Sequence, residues 1–516
     1  MEYEQYNQIG RYEIFTDYRT VDENNIIEVI TKALPFHIIN HSRINELLWY
    51  EAGKQEIRRT KIYRKDIDVK CVDNVASEIT EFKLGFNWGY PIPLVQRGVK
   101  DTGVENETEG LALLNECYEA AGQSTVQQKL ARFVEITGIG YTFVDVNMDW
   151  IDGDSYIRLM ALDPRYTFII KSNYYPDHRP MVGVTYRIDE NGMRYVTAFT
   201  KDRRFEIHEF QVTNGNVKKT EWASGQRSGE RNPLGVIPII EWIRAYDRMG
   251  CFERQIPDMD ALNILESDMI NASSEQVDCI WHTNDVEFAK DEQGNVIKPK
   301  TGDWVQTYTS KSGKTPFITP LSPKYDYNGN LEYALSKRSL ILQKCNVPQR
   351  NDNSGGSTGV AMSDATGWTS AEAAACKQQL IIEDCKMQEV RAVLQAIKVS
   401  PYVDQGSPIL KLRPIDVQPS VKRQKNYELN NKVNAMVALL NAGVNGMQVF
   451  KTIPLFSDSS QAWIDSKDMV EAIQKQKAEP KKTIDEQRTE DIEVNPERNT
   501  QDTSDQNENS PVLDKV

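Results

Sequence analysis

Four groups of residues in this sequence have types and spacings that could do chemistry. The first, Ser310-Lys311-Ser312-Gly313-Lys314-Thr315, ends like a phosphate-binding loop. Such a loop cradles phosphate oxygens in backbone N–H groups and needs an earlier glycine, with a helix directly after it. Tyr308 stands where that glycine belongs, and Pro316 and Pro320 forbid the helix, so the segment reads as a hairpin turn. The second, Asn353-Ser354-Gly355-Gly356-Ser357-Thr358-Gly359, has no lysine after it and no clear strand before it, so it reads as a flexible linker. The third, Asp258-x-Asp260 with Glu266 and Asp268, suggests a two-metal nuclease, but a helix puts residues 258 and 260 on different faces. The fourth comprises the histidines 37, 41, 178, 208 and 282, none with a partner at ligand spacing. Neither a Gly-x-Ser-x-Gly elbow nor a His-Glu-x-x-His pair occurs. A packaging ATPase would need a full phosphate loop and an acidic metal ligand after a strand, and the sequence has neither. No cofactor or metal is expected, and an enzyme is the weakest reading.

The elements that would position these residues follow from periodicity. Helical spacing runs over 22–34 and 36–52 with Pro35 punctuating, over 69–86, 110–121 and 125–136. Period-two segments follow at 141–148, 156–162, 166–171, 181–188, 194–200 and 205–211, with turn signals such as Asp152-Gly153 and Asn191-Gly192. A buried strand at 236–243 carries Pro238, which places it at a sheet edge. A helix over 256–277 has the stripe Ile256, Met259, Leu262, Leu265, Met269, Ala272 and six acidic residues between 255 and 279 without Lys or Arg. Short strands at 286–290, 305–309 and 317–319 precede a helix at 331–345. A Gly/Ser/Asn loop, a long helix over 369–398, a strand at 410–417 and three short helices between 421 and 478 complete the order. Residues 479–516 hold 11 acidic and 5 basic residues and are expected to be disordered.

Composition narrows the class further. The 516 residues carry 61 Lys+Arg against 75 Asp+Glu, a net charge of −14. That balance argues against a general nucleic-acid coat, which neutralises phosphates with excess cations, but not against a protein that lets DNA pass. The apolar fraction of 39% with Tyr included lies below the usual ~45–50%, so an elongated chain or one completed by neighbouring subunits is expected. No apolar run approaches the ~18 residues of a membrane span, the N-terminus lacks a secretory pattern, and no membrane is expected among its partners. Seven scattered cysteines without Cys-x-x-Cys read as reduced thiols.

Residue pieces then give a sharper expectation. Tyr50-Glu51-Ala52-Gly53-Lys54-Gln55 with Ile57-Arg58-Arg59, Val72-Asp73-Asn74-Val75-Ala76 before Gly85, the stretch from Phe252-Glu253 to Ser273-Ser274, and Thr358-Gly359-Val360-Ala361-Met362 before the long helix recur in that order. The chain resembles the portal (head-to-tail connector) proteins of tailed double-stranded-DNA bacteriophages, of the siphovirus type with a C-terminal crown. The resemblance covers most of residues 25–475 and implies an α+β portal fold in a ring of usually twelve subunits at one capsid vertex. It implies an N-terminal extension (1–21), a mixed α/β wing (22–250, completed by 368–420), stem helices (255–279 and 331–345), a small αβ clip (280–330), a tunnel loop (346–367) and an α-helical crown (421–478), leaving the role of the acidic tail 479–516 open.

The implied partners are itself, double-stranded DNA passing without sequence preference, major capsid and scaffolding proteins, the terminase packaging motor, and head-to-tail adaptor or tail proteins. The implied place is the virion after assembly in the host cytoplasm. The DNA-facing tunnel loop would comprise Arg350, Asn351, Asn353, Ser354, Gly355, Gly356, Ser357, Thr358 and Gly359. Trp281, Trp304, Tyr308 and Lys314 would be the clip contacts for adaptor or motor. Asp258, Asp260, Glu266 and Asp268 would repel DNA from the channel wall, and Lys337, Arg338, Lys344 would touch it briefly, against the plainer reading of solvated or subunit-pairing charges. A non-ring minor head or adaptor protein is the alternative, distinguished by assembly mass.

Overall fold

The computed structural model describes residues 9–58, 65–97, 105–213, 216–223, 227–277, 280–284, 291–295, 317–321, 325–349, 367–421, 423, 429–453 and 462–470. They form two compact units, Met1–Glu428 and Leu429–Val516. The first unit opens with β1 (Ile14–Thr16), α1 (Ile26–Glu51), α2 (Val75–Trp88), β2 (Leu94–Gln96), α3 (Glu105–Ala120) and α4 (Gln123–Thr137). Strands β3 (Ile139–Val146), β4 (Ile157–Leu162), β5 (Thr167–Ser172), β6 (Pro180–Ile188), β7 (Arg194–Phe199), β8 (Arg203–Thr213), β9 (Asn216–Trp222), β10 (Glu230–Arg231) and β11 (Ile239–Ile243) follow. Next come α5 (Ile256–Val277), β12 (Ile280–Asn284), β13 (Phe317–Leu321), α6 (Tyr327–Lys344), α7 (Trp368–Val399) and β14 (Val417–Pro419). The mixture of helices and sheets is the expected α+β class.

One helix spans Pro35 where two were expected. Ile26, Val29, Ile30, Ala33 and Leu34 are buried on α1 against Phe168, Ile170, Val182, Val184, Phe205 and Ile207 of the sheet. A buried apolar side chain contributes ~1.5–3 kcal/mol. Several in one stripe therefore outweigh the ~3 kcal/mol that an interior proline costs.

The sheet this helix covers is seven-stranded, in the order β1-β5-β6-β7-β8, with β9 and β10 both on β8. Only β1 is parallel to its neighbour. Residues 14–16 thus enter the fold, although the sequence placed them in an extension without clear periodicity. A second sheet, β11-β3-β4, has β11 at its edge as Pro238 suggested. Its apolar face (Val144, Val146, Ile157, Leu159, Ile240, Trp242) shares a core with Leu114 and Tyr118 of α3, Leu130 and Val134 of α4, and Ile382, Val390, Val393 and Ile397 of α7.

Three further expectations are corrected. Residues 65–74 are not helical, and α2 starts only at Val75, where the Asn74 side chain accepts from the Ser77 N–H at 3.4 Å. Residues 410–417 do not form one strand: Pro408 and Pro414 open short 3-10 turns, and only β14 pairs, antiparallel with β2. α6 begins four residues earlier than expected, capped by Asp326, whose carboxylate accepts from Gly329 N–H at 3.1 Å. The second unit holds α8 (Leu429–Asn441), α9 (Gly446–Thr452) and helical residues 462–470 around Met436, Val449 and Phe450.

A buried ionic knot joins the sheets to the helices. Lys171 Nζ lies 2.7 Å from Glu13 and 3.0 Å from Glu241, while Arg248 reaches the same two carboxylates at 3.1 and 2.5 Å. Arg11, fully buried, pairs with Glu253. Burial would raise Glu241, but Arg248 and Lys171 hold its carboxyl far below the usual range. Its stabilising contribution is therefore complete above the unfolded pKa of ~4.3 and declines as pH falls below it. Glu241→Gln is expected to lower unfolding stability by roughly 3 kcal/mol at pH 7, because Arg248 and Lys171 stay buried with half their counter-charge. Denaturant titrations should show that loss shrinking toward pH 3; an equal loss at both pH values would show that Glu241 acts through packing alone.

Candidate functional site

The candidate charges lie on α5 and α6, and between these helices β12 and β13 pair antiparallel from Ile280↔Leu321 to Asn284↔Phe317. Met259, Leu262 and Met269 of α5 pack with Ala334, Ile341 and Leu342 of α6, and with Val75, Ala76 and Ile79 of α2. The expected apolar stripe from Ile256 to Met269 is therefore the buried seam, while Ala272 lies outside it.

The charged candidates are largely engaged within the chain. Asp258 bridges Lys337 Nζ at 2.6 Å and Lys344 Nζ at 2.7 Å, and these bonds hold its carboxyl below the ordinary range. Asp260 accepts from the Tyr50 hydroxyl at 2.8 Å; burial and that bond push the phenol well up. Arg338 Nε donates to Asp73 at 2.9 Å, and a second guanidinium nitrogen pairs with Glu78. Glu266 is raised by burial and by nearby Asp73. Five of the seven candidates (Asp258, Asp260, Lys337, Arg338, Lys344) thus tie α5, α6, α1 and α2 together.

Sequence reasoning missed the most unusual arrangement on α5. Residues 69–73 run extended along it and bond to side chains rather than to a strand. Asn271 accepts from Val69 N–H at 2.8 Å and donates to Val69 C=O at 3.1 Å. Ser267 accepts from Cys71 N–H at 3.0 Å, and Asn263 from Asp73 N–H at 2.9 Å. Two residues of extended chain advance ~6.6 Å and four residues of helix ~6.0 Å, so an i, i+4, i+8 series matches alternate strand amides. The signal was legible: Asn263, Ser267 and Asn271 share one face of α5, opposite in character to its apolar stripe, and all three are buried.

Around the expected tunnel loop, the structure describes both roots but not Arg350 or the residues 351–359. Lys83, buried on α2 with its ammonium lowered by desolvation, donates to Asn346 C=O at 3.2 Å. Asn346 sits at φ +54, and its side chain accepts from Ser370 at 2.5 Å. Gln349 donates to Ser339 C=O at 2.7 Å, and Trp368 packs edge-on against Phe82. The last turn of α6, α2 and the first turn of α7 are thereby fastened at one place.

Of the clip candidates, Trp281 lies in β12 opposite Pro320, whereas Trp304, Tyr308 and Lys314 lie outside the described residues, as does the turn 310–315. His37 stacks on Phe168 at 4.3 Å between ring centroids and is lowered to about 3 by burial, so it is a neutral core side chain. Among the described residues no group of three or more His, Cys, Asp or Glu could hold a metal ion, and no helix is long and apolar enough to cross a membrane.

A family model described as phage portal protein, SPP1 Gp6-like, matches residues 37–397, well over half of the chain. The match runs from inside α1 into the last turn of α7 and so takes in β2 to β11, α5, α6 and the face of α5 that carries Asn263, Ser267 and Asn271. No curated protein matches the chain.

Asn271→Ala removes both bonds to Val69 and leaves that backbone group without its partner. Hydrogen–deuterium exchange of peptides covering 65–74 is expected to rise at least tenfold, with a stability loss of ~1–3 kcal/mol. Unchanged exchange in that stretch would mean that the ladder does not hold it.

Proposed function

The chain belongs to the phage portal protein family, SPP1 Gp6-like, and we propose that it is the subunit of the ring through which the genome enters and leaves a phage head. Membership alone makes it a structural component of the phage head that works with capsid and other head or tail proteins. The finer reading is ours. In it, residues 22–250 with 368–420 form the wing, α5 and α6 the stem, 280–330 the clip that docks the packaging motor and then the head-to-tail adaptor, 346–367 the DNA-facing tunnel loop, and 421–478 the crown.

The observation that carries the ring is α6. Only Ala334, Ile341 and Leu342 of its 18 residues are buried within the subunit.

 Its other large apolar side chains (Tyr327, Leu331, Tyr333, Leu335 and Leu340) are 39–60% exposed, with Tyr327, Leu331 and Leu335 in one i, i+4, i+8 line. A helix with a second apolar face needs a second partner, and repeated copies around a closed ring supply one to every subunit. Paired stem charges suit a conduit, because each uncompensated cation facing DNA would add a salt-dependent hold on a moving duplex.

Negative-stain images of the purified protein are expected to show rings with a central hole, and native mass spectrometry an assembly near 0.7 MDa for twelve copies of 59.0 kDa. Leu331→Glu with Leu335→Glu is expected to raise the concentration needed for assembly by roughly tenfold or more while circular dichroism stays unchanged. A stable monomer in the unmodified protein, at all concentrations and salts, would favour a non-ring head or adaptor protein. In infected cells, Gly355→Pro with Gly356→Pro is expected to leave rings intact and impair packaging, since proline removes the freedom glycine supplies. Heads filled at the normal rate and length by that variant would remove the tunnel-loop role.

A further inference from the structure

The hairpin joining β3 to β4 carries a surface that neither the fold nor the proposed conduit uses. Met148 and Ile151 at its tip, Val399 at the end of α7 and Tyr402 just beyond it are 38–71% exposed. They are one surface, because the hairpin and the residues after α7 are locked together. Trp150 stacks on Tyr402 with centroids 5.3 Å apart and on Tyr156 at 5.7 Å. The Tyr402 hydroxyl donates to Met148 C=O at 2.9 Å, and the Trp150 indole N–H to Asp154 C=O at 2.9 Å. Asn147 closes the turn by donating to Ser155 C=O at 3.0 Å. The tip is therefore rigid before anything binds, which removes much of the ordering cost that a mobile loop would bring to an interface.

The rim of this surface is acidic. Asp149, Asp152 and Asp154 are exposed on the hairpin, and Asp404 is exposed two residues after Tyr402. Arg158, the one cation on the hairpin, already pairs with Asp149. A cleft of about 370 Å³ beside the tip is lined by Asn147, Asp149, Asp154 and Arg158 together with Ile157 and Leu159 of β4, so two of the rim carboxylates border a depression with an apolar floor. The carboxylates do not form a group that could hold a metal ion, and they would repel a nucleic acid backbone. Exposed apolar anchors around stacked aromatic rings, inside a carboxylate rim, fit a protein segment that brings apolar side chains flanked by Lys or Arg.

We propose that the β3–β4 hairpin with Tyr402 is a docking surface for a basic, apolar-tipped segment of a different polypeptide. The proposal goes beyond the conduit reading: it concerns the outside of the sheet unit, and ring formation does not depend on it. A second copy of this chain is the less suitable occupant, since the whole chain carries a net charge of −14.

The test places a photo-crosslinking amino acid at Ile151 in the full chain during infection and maps the adducts by mass spectrometry, after images have established whether rings form. The expected result is one dominant adduct to another polypeptide, at a segment with net positive charge. That adduct should fall at least fivefold in Asp149→Asn/Asp152→Asn/Asp154→Asn, and likewise when the crosslinked particles are prepared in 0.5 M rather than 0.1 M salt. Thermal melts of the triple variant check that it folds. Adducts that are absent, spread over many peptides, mapped to this chain or to an acidic segment, or unchanged in the triple variant would each overturn the docking surface. Loss of rings with the adduct retained would instead remove the conduit reading and leave this one standing.

Discussion

The passage of the chain from the sheets into α5 is packed backbone against backbone, and both sheets and α4 converge on it. A Cβ on Gly10 would lie 2.1 Å from Asp247 O, and one on Gly250 2.1 Å from Ile136 O. Residues 247–250 are therefore held between the N-terminal segment and the end of α4 with no room for side chains on either flank. Arg248 turns there at φ +55, and its guanidinium is buried between Glu241 and Glu13. Taking such ions out of water costs several kcal/mol each, which pairing offsets only when every member is present. The knot thus fixes one conformation more than it adds stability, and it sets the direction in which α5 leaves the sheets.

Glu135 does the same work one layer further in. Its carboxylate, fully buried on α4, accepts from the Trp88 indole N–H at 2.8 Å and from Gln378 at 2.5 Å, and pairs with Arg244 at 3.3 Å. One side chain therefore ties α2, α4, α7 and the strand-to-helix passage. A fully satisfied buried carboxylate is specific in a way apolar packing is not, because any shift of one helix leaves a charge without a partner. Together with the clamp on Asn346, it makes α2 the common support of α5, α6 and α7.

Much of this was legible in the residues. The sheet strands followed period two, α5 and α7 appeared close to their observed bounds, and Pro238 marked an edge strand. What was not legible has a common physical cause: a long-range partner overrode a local signal. Pro35 breaks an isolated helix, but burial of Ile30, Ala33 and Leu34 against the sheet carries α1 through it. Val69 and Val72 have helical spacing relative to Ile79, but hydrogen bonds to Ser267 and Asn271 hold the backbone extended, and that ladder is visible only once α5 is placed beside it. The candidate charges on α5 and α6 were read from the sequence as facing a channel, and their partners within the chain were not legible, because no spacing rule links Asp258 to Lys337 or Arg338 to Asp73.

Those partners change the electrostatic argument for the stem. By sequence, α5 is a purely acidic helix, and every carboxylate on it is a candidate to face a duplex. In the structure α5 has three faces with different tasks. One is the apolar seam with α6 and α2, and Asp258 at its margin is neutralised by Lys337 and Lys344. The second is the Asn263–Ser267–Asn271 ladder that carries residues 69–73. The helical repeat puts Ala261, Ile264, Asp268, Ala272 and Glu275 on the third. Asp258 and Asp260 are thus spent on contacts to α6 and α1 inside the subunit, so the acidity of the run is not by itself the character of a surface that a neighbouring subunit or DNA would meet.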